Sequence, residues 1–292
     1  MISITVLLAL VGFFIGYSYG DPIVGLVLAL GFALFYTAIS MMAGDKIVLA
    51  SMRAKEVTKQ SHPQLFNVVE EMSIAAGLPM PKVYVIKSDA SNAFATGRTP
   101  DKAAVAITTG LMEILNREEL QAVMGHEMGH IKNFDTRFAI LMAVMVGAIA
   151  LICDAFWLMS RGMRRSSSKG GGQAQLVILI VAIVLAILAP IAAKIIQMAM
   201  SRRRELLADN TAAILTRNPE ALANALEKIA GDKDELDLAN RGTQHLFIVN
   251  PLKIIKDHKK GINAAKSEEK SGWLDTHPPL ALRIRLLREM AH

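Results

Sequence analysis

Hydrophobic and polar positions divide this chain into long apolar runs and polar stretches of shorter period. Four runs reach the length of about 20 predominantly apolar residues that a bilayer span requires. They are Ile2–Tyr19, Ile23–Ala43, Phe138–Met159 and Leu176–Met200. Gly20-Asp21-Pro22 joins the first two as a tight hairpin. The last two are joined by Ser160 to Gln173, a basic, glycine-rich and serine-rich loop. The apolar start lacks a basic leader and an evident small-residue cleavage site, so it reads as a retained span.

The polar regions carry other periods. From His62 to Gly77 the apolar residues Leu65, Val68, Val69, Met72 and Ala76 recur at helical spacing. Pro81–Ile86, Ala93–Thr96 and Ala103–Thr108 read as short strands, with a turn at Gly97-Arg98-Thr99-Pro100-Asp101. Asn116, followed by acidic residues, predicts a capped helix start. Beyond the last apolar run, helices are expected over Arg202–Thr216, over Pro219–Ala230 and from Pro278. The expected fold is α+β, mainly helical with a small sheet, combined with four transmembrane helices.

Composition narrows the functional classes. The net charge is +6, but aromatic residues are only 5% of the chain. No stacking platform for nucleic acid is visible, and a basic face beside anionic lipid accounts for the charge. The single cysteine, Cys153, lies in an apolar run and reads as a small hydrophobe; no intrachain disulfide can form.

The chemistry lies in His126-Glu127-Met128-Gly129-His130. Positions i and i+4 of a helix share a face, with Cβ atoms about 6 Å apart. Two imidazoles there can bind one zinc ion, and the intervening Glu127 can take a proton from water and pass it to the leaving amine. A chance match on a solvated helix is the bland alternative. The surrounding proline-free, apolar-cored helix next to an apolar run argues against it.

A protease zinc site needs a third protein ligand and one open position. Glu205, in Arg202-Arg203-Arg204-Glu205, is the best candidate. If the helices run on unbroken at about 1.5 Å per residue, His130 and Glu205 stand roughly 10–17 Å from the membrane edge on the same side. Asp209, one turn later, shares the face of Glu205 and could hold the distal N–H of a ligand histidine. Asp135 could do the same, but a helix-surface role is the simpler expectation.

HEMGH, RRRELLAD, SNAFATG and THPP, in this order among four apolar runs, resemble the HtpX-type heat-shock membrane endopeptidases. A more distant resemblance is to the CaaX prenyl-protein endopeptidase. The resemblance implies a zincin-like (gluzincin) domain with one Zn2+ per chain, held by His126, His130 and Glu205, with Glu127 as base and Asp209 as partner to a ligand histidine. It implies that Asn92, Ala93 and Phe94 form the strand whose edge takes up substrate backbone, and that His277 stabilises the oxyanion. It further implies an inner-membrane protein with a cytoplasm-facing site. Its substrates would be misfolded or damaged membrane proteins, its work would be stress response and quality control, and its role would overlap with an ATP-dependent membrane protease. A narrow-specificity processing protease and an inactive membrane scaffold are the alternatives. Intact Glu127, His126 and His130 speak against the scaffold.

The expected organisation is a membrane hairpin over 1–44, a first catalytic part over 45–137, a second hairpin over 138–200 containing the basic loop 160–173, and a second catalytic part over 201–292. Both catalytic parts must face one compartment. Lys and Arg near the apolar runs place them, and both termini, in the cytoplasm. That leaves Arg161, Arg164, Arg165 and Lys169 outside, in a loop that should resist export. Either the charge around Arg202–Arg204 overrides it, or the last two runs form a re-entrant hairpin; their length favours full crossing. A Ser167→Cys variant in a Cys153→Ala background should therefore react with an impermeant thiol reagent on intact cells. Labelling only after lysis would contradict full crossing.

Overall fold

The computed structural model describes residues 20–137, 202–232, 247–249 and 278–291, with isolated positions 9, 12, 13, 16, 17 and 140. Its packing defines two units, one of residues 1–44 and 144–195 and one of residues 45–143 and 196–292. His277, the basic loop 160–173 and the expected spans Phe138–Met159 and Leu176–Met200 lie outside the described residues, as does most of Ile2–Tyr19.

Helix α1 (Pro22–Ser51) begins in the first unit and ends in the second. Asp21 caps its start, its Oδ1 accepting from the backbone N–H groups of Ile23 and Val24 at 3.1 Å. Ile23, Val27, Leu28, Phe32, Leu34 and Phe35 all point outward. Among the described residues, no helix is counted as long and apolar enough to cross a membrane. The four expected spans are therefore not established by the described part of the chain.

The second unit is built around a four-stranded sheet. Its strands are β1 (Lys55–Glu56), β2 (Lys82–Ile86), β3 (Ala93–Thr96) and β4 (Ala104–Thr108), in the order β1-β2-β4-β3. β2 and β4 run parallel, while β1–β2 and β3–β4 are antiparallel. The turn between β3 and β4 follows from Gly97, which has φ +125° and would drive a Cβ to 2.6 Å from Ala103 Cα. β1 is too short for any period to reveal it. Strand alternation sorts the side chains. Val83, Val85, Ala93, Ala95, Val105 and Ile107 face the main core, while Ile86, Phe94, Ala104 and Ala106 meet Val48 and Leu49 from the end of α1 and Met52 just beyond it.

Among the described residues, the main core is lined by α2 (Pro63–Ala76), α4 (Arg117–Lys132), α5 (Arg202–Thr216), α6 (Pro219–Gly231) and α7 (Leu280–Met290), with Leu111 of a short further helix. A short α3 (Thr109–Ile114), absent from the sequence-based expectation, follows β4 directly and is capped by the Thr108 side chain. The expected cap at Asn116 is a full capping box with Glu119. Small residues, Gly125 and Gly129 on α4 and Ala208 and Ala212 on α5, fix the position of the site. A Cβ on Gly125 would stand 3.4 Å from Ala212 Cα, and one on Gly129 3.1 Å from Ala208 Cα and 3.2 Å from Thr211 Cβ. These contacts let α4 and α5 lie nearly backbone to backbone.

The two glycines should respond differently to substitution. Gly125→Ala gains helix propensity at ordinary van der Waals distance and should be tolerated. Gly129→Val forces the helices apart and should cost about 1–3 kcal/mol, the usual range for overpacking. Thermal unfolding checks both; equal melting temperatures for the two variants would contradict the close helix contact.

Candidate metal centre

Helix α4 carries His126, Glu127 and His130 into the interior, where His126 and Glu127 are fully buried and His130 keeps slight exposure. One helical turn separates the two histidines, so both rings lie on the face toward α5. Their Nε2 atoms are 3.1 Å apart, and the rings meet at an interplanar angle of 88°. Glu205, in the first turn of α5, lies between them. Its Oε2 is 3.8 Å from His126 Nε2 and its Oε1 is 3.5 Å from His130 Nε2.

These three side chains place their donor atoms within 4.8 Å of one another. Two nitrogens and a carboxylate oxygen form a donor set suited to zinc. With Zn–N bonds of about 2.0–2.1 Å, two tetrahedral nitrogens stand about 3.3 Å apart. The observed imidazole spacing fits such an ion with only slight adjustment.

The opposite edge of each ring is also held. His126 Nδ1 lies 2.9 Å from Asp209 Oδ1, a short contact whose N–H is off the line of a well-formed hydrogen bond. His130 Nδ1 is paired with Asp135 Oδ2 at 3.1 Å. The expectation for Asp209 thus has a geometric counterpart. That for Asp135 is corrected: it is buried, not on the helix surface. Phe134, with φ 57°, turns the chain after α4 so that Asp135 comes back to the histidine.

Sequence reasoning missed Arg283 altogether. Among the described residues it is the largest fully buried side chain. Its Nε donates to Asp209 Oδ2 at 2.8 Å and its Nη2 to Asp209 Oδ1 at 2.7 Å. Nη1 donates to the Ile248 carbonyl at 2.8 Å and lies 3.5 Å from Glu205 Oε2. The available signal was an arginine set within the apolar stripe Leu280, Ile284 and Leu287 of the last helix. Arg204, read only as one of three flanking arginines, donates to Asp135 Oδ1 at 3.0 Å.

Burial and neighbouring charge set the protonation of these groups. Burial raises the Glu127 carboxyl to about 7, against the weaker pull of His130 and an N–H contact from the Ala95 backbone. Its Oε1 has no hydrogen-bond partner among the described residues. Burial works against charging His130, but Asp135, Glu205 and Glu127 outweigh it and raise the imidazole to about 9. Burial lowers His126 in spite of Asp209. Asp209 is itself desolvated, yet Arg283 and His126 keep it well below the ordinary carboxylate range.

Asn92, Ala93 and Phe94 are all buried beside this site. The Ala93 carbonyl accepts from the Ile248 N–H at 3.0 Å, Asn92 Nδ2 donates to the Val249 carbonyl at 2.9 Å, and Phe94 packs edge-on against Phe247. At Ala93, then, the outward carbonyl of β3 is already used within the chain.

Residues 59–291 match Peptidase family M48. The chain is 40% identical over 275 residues to a protease HtpX homolog of Listeria monocytogenes, covering 91% of this chain and 86% of that one. It is 41% identical over 294 residues to the protease HtpX homolog of Syntrophobacter fumaroxidans, covering 99% and 96%. Among solved structures, the crystal structure of S. mikatae Ste24p is similar in fold, with a TM-score of 0.52 at 19% identity. That likeness covers 87% of this chain and 57% of the Ste24p chain, so this chain spans little more than half of that protein. A buried donor set of two histidines and a glutamate beside a second glutamate, within sequence similarity of this extent, places the chain in Peptidase family M48 as a metalloprotease of the HtpX type.

Proposed function

We propose that the metal is zinc and that the protein is a membrane-bound endopeptidase cleaving misfolded or damaged membrane proteins on the cytoplasmic side of the cell membrane. The observation that carries the catalytic part is the convergence of His126, His130 and Glu205 within 4.8 Å, with the Glu127 carboxyl on the same helix turn. The membrane part rests on the four apolar runs. It is supported by the outward-facing apolar side chains of α1. Gly25 also meets the backbone of Gly12 and Gly16, the small-residue contact by which membrane helices approach closely.

When bound, zinc supplies a Lewis-acid charge that polarises the scissile carbonyl and acidifies water. The chain's own groups do the rest. His126 and His130 present Nε2, and Glu205 presents its carboxylate. Glu127 accepts a proton from the attacking water and returns it to the leaving amine. Burial suits Glu127 to both steps, because desolvation brings the carboxyl near neutrality. By motif resemblance, His277 donates to the oxyanion, and the β3 edge around Asn92, Ala93 and Phe94 holds substrate backbone. The presence of the Ile248 N–H on Ala93 means that a substrate pairing there has to share or displace that contact.

Glu127→Gln keeps the donor set and removes the proton acceptor. Purified protein with this change should hold metal as the wild type does and lose at least about 10²–10⁴ in proteolytic rate, the usual contribution of a general base. For the wild type, kcat/KM should fall as pH drops and Glu127 becomes protonated. Burial raises its pKa and a bound cation lowers it, so the acidic limb should fall between the ordinary carboxyl value of 4.5 and about 7. Wild-type turnover by Glu127→Gln would contradict the assignment.

A further inference from the structure

We propose that Arg283 and Arg204 are positioning residues for the metal centre, each closing a chain of histidine, aspartate and arginine that fixes one ligand imidazole. The proposal rests on His126 and His130 being metal ligands and adds what orients them.

The two chains are built alike from different parts of the sequence. In the first, His126 Nδ1 contacts Asp209, and both Asp209 oxygens are taken by the Nε and Nη2 atoms of Arg283 at 2.8 and 2.7 Å. This is the two-bond fork in which guanidinium and carboxylate fix each other's plane. The remaining Nη1 of Arg283 is anchored by the Ile248 carbonyl and faces Glu205. In the second chain, His130 Nδ1 contacts Asp135 Oδ2, and Asp135 Oδ1 accepts from Arg204 Nη1. Helix α5 thus supplies Arg204, Glu205 and Asp209, so that one rigid element bears on the third ligand and on both imidazole supports. A metal-ligating histidine depends on such a contact at its distal nitrogen for ring orientation, and loss of the contact typically weakens metal binding by about 10–100-fold.

The chains differ in solvent access and in geometry. The Arg283 side chain is fully buried, whereas that of Arg204 is 32% exposed. Water can take over part of the work of Arg204 but not that of Arg283. Lysine can replace the single Arg204–Asp135 contact, but it cannot form the fork on Asp209.

The test uses the full chain purified in detergent. Zinc affinity is measured by competition with a chromophoric chelator, ligand geometry by the visible absorption of the cobalt-substituted protein, and fold by melting of the metal-free form. Arg204→Gln should melt within a few degrees of wild type, bind zinc about tenfold more weakly and shift the cobalt bands, and Arg204→Lys should restore both. Arg283→Lys should weaken zinc on the order of 100-fold without recovery of the cobalt spectrum. Should that variant not fold, Asp209→Asn combined with Arg283→Met removes both buried charges, and the same zinc and cobalt changes are expected. Wild-type zinc affinity and cobalt spectra in folded Arg204→Gln and in the folded Arg283 variant would overturn the proposal. If the wild type takes up no zinc, or if His126→Ala leaves uptake unchanged, the metal-centre reading fails and this proposal with it. Uptake that needs the histidines but ignores the arginines overturns only the positioning role.

Discussion

The close approach of α4 and α5 is the constraint on which the rest of the structure depends. Two histidines one turn apart can face a common point on any helix. They become a metal site only when a third donor is brought within a few ångströms. Gly125 and Gly129 on one helix, facing Ala208 and Ala212 on the other, let the two backbones approach closely. Glu205 therefore arrives between the imidazoles although the chain has meanwhile run through two long apolar segments. The sheet under α4, the capping box at Asn116, and α6 and α7 packed against α5 hold this contact in place.

Close packing of this kind brings an electrostatic load with it. Glu127, Glu205, Asp209 and Asp135 are all buried, and each would be costly to ionise alone. The fold answers by pairing. Arg283 neutralises Asp209 and faces Glu205, while Arg204 neutralises Asp135. Among the described residues no cation is bonded directly to Glu127, and its carboxyl rises toward neutrality. Asp209 is held ionised by Arg283 and His126, whereas Glu127, proposed above to take and give the proton, is not. Assignments of acid and base in enzymes commonly arise from such a division between environments.

Much of this was legible in the sequence. HEMGH gives the histidine spacing and the helical period around it gives the buried face, whereas Glu205 was a candidate through its distance from the last apolar run and the family resemblance, with Asp209 one turn beyond it. Three strands, the turn at Gly97 and the cap at Asn116 were also legible, since their signals are local. What was not legible depends on tertiary contact. Asp135 follows α4 through Phe134 in a left-handed conformation that no pattern announces, and it read as a surface residue. Arg283 lies near the end of the chain, and its partner Asp209 is identified only when α7 packs on α5. The edge of β3 could be read as open because the segment Phe247–Val249 that meets Ala93 has no period of its own. β1 and α3 were too short for a pattern to form.

On the reading proposed above, two imidazoles of α4 and one carboxylate of α5 hold a single zinc ion. X-ray absorption at the zinc edge of the zinc-loaded full chain tests it most directly. One zinc per chain is expected, with two imidazole nitrogens at about 2.0–2.1 Å and the remaining positions filled by oxygen. A spectrum requiring three imidazoles or a sulfur ligand, or one unchanged by Glu205→Ala, would contradict it.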